Sequence, residues 1–178
     1  VSHFQNAVAH SPKTADARIA FAKFLIEKGT TESLRQAKAL LENAEKIEPG
    51  HSSIYYFLGM LHLRENNKDK AQKQFEKALR YNENNANAHI QLGKLLLKNS
   101  QFSPALKHAI KAGVLLPANG ETFYLAGQCY IGQKDYTRAI LSFWRARQME
   151  PTLAGECREK LLLCYGNLLL AEGREHAQ

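Results

Sequence analysis

Three thiols and seven imidazoles are the side chains here best suited to attack a carbonyl, hold a metal or carry a proton near neutral pH. Their spacing supports none of these chemistries. On one helix, Cys157 and Cys164 stand roughly 10 Å apart along the axis. That exceeds the about 7 Å Cα separation a disulfide can span. Cys129 and Cys164 fall inside apolar helical patterns and read as small buried hydrophobes. The histidines lack the close pairs that a zinc site uses. No His-Glu-x-x-His, phosphate-binding loop, G-x-G-x-x-G or nucleophile elbow occurs. The expectation is a chain with no catalytic residues, no metal and no cofactor.

The elements around these residues carry more information. The chain has 178 residues, 44% hydrophobic and 23% charged, which suits one globular unit with a substantial core. No run approaches the roughly 18 apolar residues of a transmembrane helix. The start, "VSHFQNAVAHSP", lacks the basic and apolar blocks of a signal peptide. Three unpaired thiols suggest a reducing compartment, so the expected location is cytoplasmic, with the periplasm left open. The formal charge of +7 favours acidic partners through long-range attraction. Lys68, Lys70, Lys73, Lys77 and Arg80 form one helix face, read as the solvated one.

A glycine inside a helix costs about 1 kcal/mol relative to alanine, yet Gly93 interrupts the leucine-rich run "HIQLGKLLLK". Gly59, Gly93 and Gly127 recur every 34 residues. Ala37, Ala71, Ala105 and Ala139 keep the same interval, as do Ala44, Ala78, Ala112 and Ala146. Leu41, Phe75, Ala109 and Phe143 share one register, and Tyr55, His89 and Phe123 another. Pro49, Pro117 and Pro151 close the units, with Glu83 in the missing proline's place. Each unit holds two helical patterns joined by a short turn such as Asn66-Asn67. In the third, Ser103 is expected as the cap and Pro104 as the first helical residue. Antiparallel helices approach closely only where facing residues are small. The glycines and alanines supply that contact, and Phe75 and Phe143 fill the space between.

This order of residues at this period resembles the tetratricopeptide repeat, most closely in Phe123 to Pro151. The resemblance covers nearly the whole chain and implies an all-α fold: an α-solenoid of antiparallel helix pairs in a right-handed superhelix. Residues 1–14 are then the second helix of a truncated repeat, with Phe4, Ala7 and Pro12 in the motif places. Full repeats follow at 15–51, 52–85, 86–119 and 120–153, and 154–178 is the extended helix of a truncated or capping repeat. In the first full repeat Ala22 replaces the glycine and Thr30–Ser33 read as an insertion in the turn. Both ends cut through a repeat, as expected of a fragment of a longer array. His62 and His89 take places where the family holds Tyr and Trp, so packing is expected of them. Trp144 is read as a packing or surface residue.

The family's first helices line a concave groove. Carried onto this chain, that arrangement places Lys23, Tyr56, Met60, Arg64, Asn87, Ile90, Lys94, Lys98, Tyr124 and Gln128 in a partner-binding groove. Ile19, Ile26, Leu63, Leu97 and Ile131 lie alongside, with Glu121 near the rim. A mixed apolar and basic lining suits an acidic peptide or protein with hydrophobic anchors. Two specialised family sites are missing. The carboxylate clamp of chaperone-tail binders falls on Ile19, Lys23, Phe57, Glu121 and Leu125, and the asparagine ladder of O-linked N-acetylglucosamine transferase on Phe57, Gln91 and Leu125.

The resemblance implies a non-catalytic protein-interaction scaffold. The alternatives are the substrate-positioning or regulatory arm of a larger enzyme such as a transferase, and an oligomerisation module that self-associates through exposed end helices. No nucleic acid and no membrane span are expected.

Overall fold

The computed structural model describes Asn6, Val8 and residues 14–175. The expectation for Phe4, Ala7 and Pro12 lies outside the described residues. Among the described residues the fold is all-α. Among the described residues from Asp16 onward, nine α-helices follow one another: α1 (Asp16–Lys28), α2 (Thr31–Ile47), α3 (Ser52–Arg64), α4 (Lys68–Tyr81), α5 (Ala86–Lys98), α6 (Phe102–Leu115), α7 (Gly120–Gly132), α8 (Tyr136–Met149) and α9 (Ala154–Glu175). A 3-10 turn, Pro151–Leu153, precedes α9. The helices pack as antiparallel pairs, and the chain divides into two compact units, Val1–Ala88 and His89–Gln178.

In the first unit, α1 pairs with α2 and α3 with α4. Ala37, Leu41, Ala44 and Ala78 are fully buried among Ile54, Tyr55 and Leu58, the seam that the 34-residue register marks. A Cβ built on Gly59 would stand 2.5 Å from the Phe75 ring. The aromatic side chain of the second helix, more than the alanine, therefore demands the glycine. Tyr55 stacks on Tyr81 at 5.0 Å and takes the Lys77 ammonium over its face at 4.0 Å. Lys77 also pairs with Glu45 at 3.2 Å, so it leaves the solvated lysine face and covers the core's edge.

In the second unit, α7 and α8 form a pair, and α9 packs on α8 through Cys157, Leu161 and Cys164. Gly127 meets Phe143 as Gly59 meets Phe75, with a built Cβ 2.8 Å from the ring. The α5–α6 pair is different. Ala109 stands where the phenyl ring should be, and Leu125 from α7 fills the space, its Cδ2 2.9 Å from a Cβ on Gly93. Ala105 is the second neighbour there, through its carbonyl oxygen at 3.4 Å.

The turns are stereotyped. Asn66, Ser100 and Lys134, again 34 apart, have φ of 57°, 58° and 59°, the left-handed conformation. The next residues are helix caps. Asn67 and Asp135 accept from the backbone N–H of Lys70 and Arg138 at 3.2 and 3.0 Å.

Two expectations are corrected. Thr30–Ser33 do not lengthen the first turn. Gly29, at φ 70°, and Thr30 make the whole connection, and Thr31–Ser33 are the opening turn of α2, which has 17 residues. The reason is a good helix start: Thr30 Oγ1 accepts from the Ser33 N–H at 3.2 Å, and Glu32 sits at the positive end of the helix. Ser103 is not the cap of α6. The helix begins at Phe102 with Gln101 as its N-cap, and Pro104 lies in the first turn, where a missing N–H breaks no helical bond.

Candidate interaction surface

In the first unit, one face of α1 and one of α3 converge with the start of α5 on a cavity of about 190 Å³. Spacings of three and four residues put Lys23, Ile26 and Glu27 on one side of α1. From α3 come Tyr56, Phe57, Met60 and Arg64, and Asn87 closes the end. Ile26, 4% exposed, forms the floor. Tyr56, Phe57 and Met60 are half-buried walls, while Lys23, Glu27, Arg64 and Asn87 stand exposed at the mouth. The Tyr56 ring is held edge-on to Phe57 at 5.0 Å and tilted against Phe75 at 5.9 Å. The cavity is smaller than the roughly 300–1,000 Å³ of small-molecule sites; it is the size for a side chain. The structure thus brings together Lys23, Tyr56, Met60, Arg64 and Asn87. It adds Phe57 and Glu27, which sequence reasoning did not place in the groove.

The second unit treats its expected groove residues differently. Ile90 is 2% exposed and belongs to the core, a correction to its assignment as a contact residue. Ile19 is likewise buried. The apolar position on each first helix that faces a neighbouring helix reads like a groove position in sequence, and packing takes it. Lys94 is hydrogen-bonded and ion-paired to Glu121, so the two charges offset each other. Tyr124 packs edge-on to Phe143 at 5.5 Å. Burial, then the Glu156 carboxylate, pushes its phenol up to about 12. Lys98 is exposed and Gln128 half-buried.

Among the described residues no group of three or more His, Cys, Asp or Glu side chains could hold a metal ion. One histidine pair does form. His89 Nδ1 and His108 Nδ1 lie 2.8 Å apart across α5 and α6. They are 19 residues apart in sequence, so only the folding of one helix onto the other reveals the contact. All three cysteines are buried, and burial raises their thiols, that of Cys129 to about 11.

Comparison with known proteins agrees with this geometry. The family model described as "Anaphase-promoting complex, cyclosome, subunit 3" matches residues 64–146. Anaphase-promoting complex subunit 3 of Schizosaccharomyces pombe is 28% identical over 115 residues, 65% of this chain and 17% of that protein. The solved structure titled "YrrB: a TPR protein with an unusual peptide-binding site" is 25% identical with a TM-score of 0.70, covering 92% of this chain and 89% of that one. The Cut9–Hcn1 hetero-tetramer structure aligns with a TM-score of 0.77 at 21% identity, over 92% of this chain and 32% of that one. The chain spans 7% to 41% of the length of the curated relatives it matches.

The chain has the fold of a tetratricopeptide-repeat helical domain. Among the described residues no helix is long and apolar enough to cross a membrane.

Proposed function

We propose that this domain is a scaffold that binds a peptide segment of a partner protein on the first-helix face of its first unit. The observation that carries this reading is the convergence of Lys23, Tyr56, Met60, Arg64 and Asn87 on one cavity with an apolar wall and a charged mouth. An apolar anchor side chain would enter between Tyr56, Phe57 and Met60. Lys23 and Arg64 would meet acidic residues flanking the anchor, and the Asn87 amide can bond a peptide backbone group. Glu27 disfavours an acidic residue on its own side and so sets the direction of the peptide. The likeness to a solved repeat protein whose title names a peptide-binding site supports the reading.

The test is fluorescence anisotropy with a panel of labelled acidic peptides, each with one Leu, Phe or Trp anchor. The paired substitution Tyr56→Ala with Arg64→Glu should weaken the best binder at least about tenfold, or about 1.4 kcal/mol. Unchanged affinity in a folded variant removes the cavity from the account.

A further inference from the structure

Apart from Tyr81, the exposed large hydrophobic side chains of the described residues all lie in the second unit, and a group of them sits on its second helices. Ile110 and Val114 of α6 are 51% and 72% exposed; Leu141 and Trp144 of α8 are 62% and 42% exposed. The same registers on α4 hold Glu76 in place of Ile110 and Trp144, Arg80 in place of Val114, and Lys73 in place of Leu141. This surface therefore departs from the polar one that the repeat otherwise carries.

Beneath it lies a formed groove. Because Ala109 and Gly113 are small, a cavity of about 410 Å³ opens between α6 and α8, floored by Phe123, Ala126 and Tyr130 of α7. It adjoins a second cavity of about 430 Å³, which shares Phe123, Tyr130 and Arg145 with it and reaches Leu141 and Trp144. Cations pave the aromatic floor: Arg145 lies 5.6 Å from the Phe123 ring centre and Arg138 5.4 Å from that of Tyr130. The sequences of α6 and α8 contain Lys107, Lys111, Arg138, Arg145 and Arg147 and no Asp or Glu. The Asp135 cap just before α8 pairs with Arg138 at 2.6 Å.

We infer that this second-helix face is a docking surface for an acidic amphipathic helix of another protein, separate from the cavity of the first unit. Charge complementarity selects this occupant. Arg138 and Arg145 line the cavities, and Arg147 lies over the Trp144 ring. With only Arg138 of these paired among the described residues, to Asp135, the face keeps a positive charge that repels a second copy of itself and attracts carboxylates. The apolar side chains supply anchor sites at helical spacing, and α8 is about 21 Å long, room for three to four turns of a bound helix.

Trp144 is the only tryptophan, and its indole N–H donates to the Tyr165 hydroxyl of α9 at 3.4 Å, so its emission reports on this face and its border with α9. The probe is a synthetic amphipathic helix with a leucine stripe and glutamates elsewhere, titrated into the domain. Its twin with lysines for glutamates is the control. The expected result is a blue shift of Trp144 emission with the glutamate peptide, weakened by added salt and lost at least about tenfold in affinity with Leu141→Glu plus Arg145→Glu, read by anisotropy. The shift should persist in the Tyr56→Ala, Arg64→Glu protein, which separates this face from the first-unit cavity. No shift, an equal shift with the lysine twin, or loss of binding only on Leu169→Asp in α9 would overturn the inference. So would an equal shift with a single-stranded oligonucleotide, which would assign the face to phosphates.

Discussion

The Phe75 ring occupies the place where a methyl group on Gly59 would go, 2.5 Å from the position of that Cβ. Gly166, on α9, meets nothing within 4 Å. The same substitution should therefore have opposite signs. Gly59→Ala forces the ring or the helix to move, costing about 1–3 kcal/mol of overpacking, which outweighs the roughly 1 kcal/mol gained in helix propensity. Gly166→Ala keeps only the gain. Urea denaturation of the two variants, side by side, checks it.

At the third repeat, Leu125 and the absent ring compete for one space against Gly93. Ala109→Phe alone should destabilise the domain by about 1–3 kcal/mol, since Leu125 is already there. Adding Leu125→Ala should cost far less in that background than in the parent chain, where it leaves a cavity worth about 2–5 kcal/mol. A double-mutant cycle that comes out additive would refute the shared space.

The His89–His108 contact needs one ring to donate and the other to accept, so it exists only while at least one is neutral. Replacing His89 with Phe, which the next repeat carries in this register, should lose about 1 kcal/mol, the net worth of one such hydrogen bond. Removing both rings together, as His89→Phe with His108→Leu, should cost less than the sum of the two single losses, because the contact they share is lost only once. Thermal melts of the two single variants and the pair would show the coupling.

Tyr124 predicts an alkaline signature. Its folded value, about 12, lies above the ordinary 10.0, so the fold favours the neutral phenol. Its contribution to stability is fully present below pH about 10 and is lost as pH rises through about 12. Absorbance at 295 nm should show two tyrosines ionising late in the native domain, Tyr124 and the more strongly raised Tyr55, and Tyr124→Phe should remove the earlier of the two steps.

The architecture was legible because small-residue constraints repeat, and repetition survives without knowing any contact. Ala71, Ala105 and Ala139 are all fully buried, as their register required. The limits of sequence reading were local. Thr30–Ser33 looked like turn residues by composition, yet they cap and begin α2 because Thr30 and Ser33 bond to each other. Ile90 and Met60 are alike in sequence, apolar on a first helix, and only packing puts one in the core and the other on a cavity wall. Ile110, Val114, Leu141 and Trp144 broke the polar pattern of α4 in the same registers. That signal was available before the structure.

α9 is gripped along one seam, where Cys157, Leu161 and Cys164 meet α8, while Leu162, Leu163, Leu169 and Leu170 remain in water. A rod fastened along a single edge lets go before its neighbours do. Amide exchange should therefore proceed as an unzipping that starts with α9 and reaches α8 and α7 afterwards, with no need for the whole domain to melt at once.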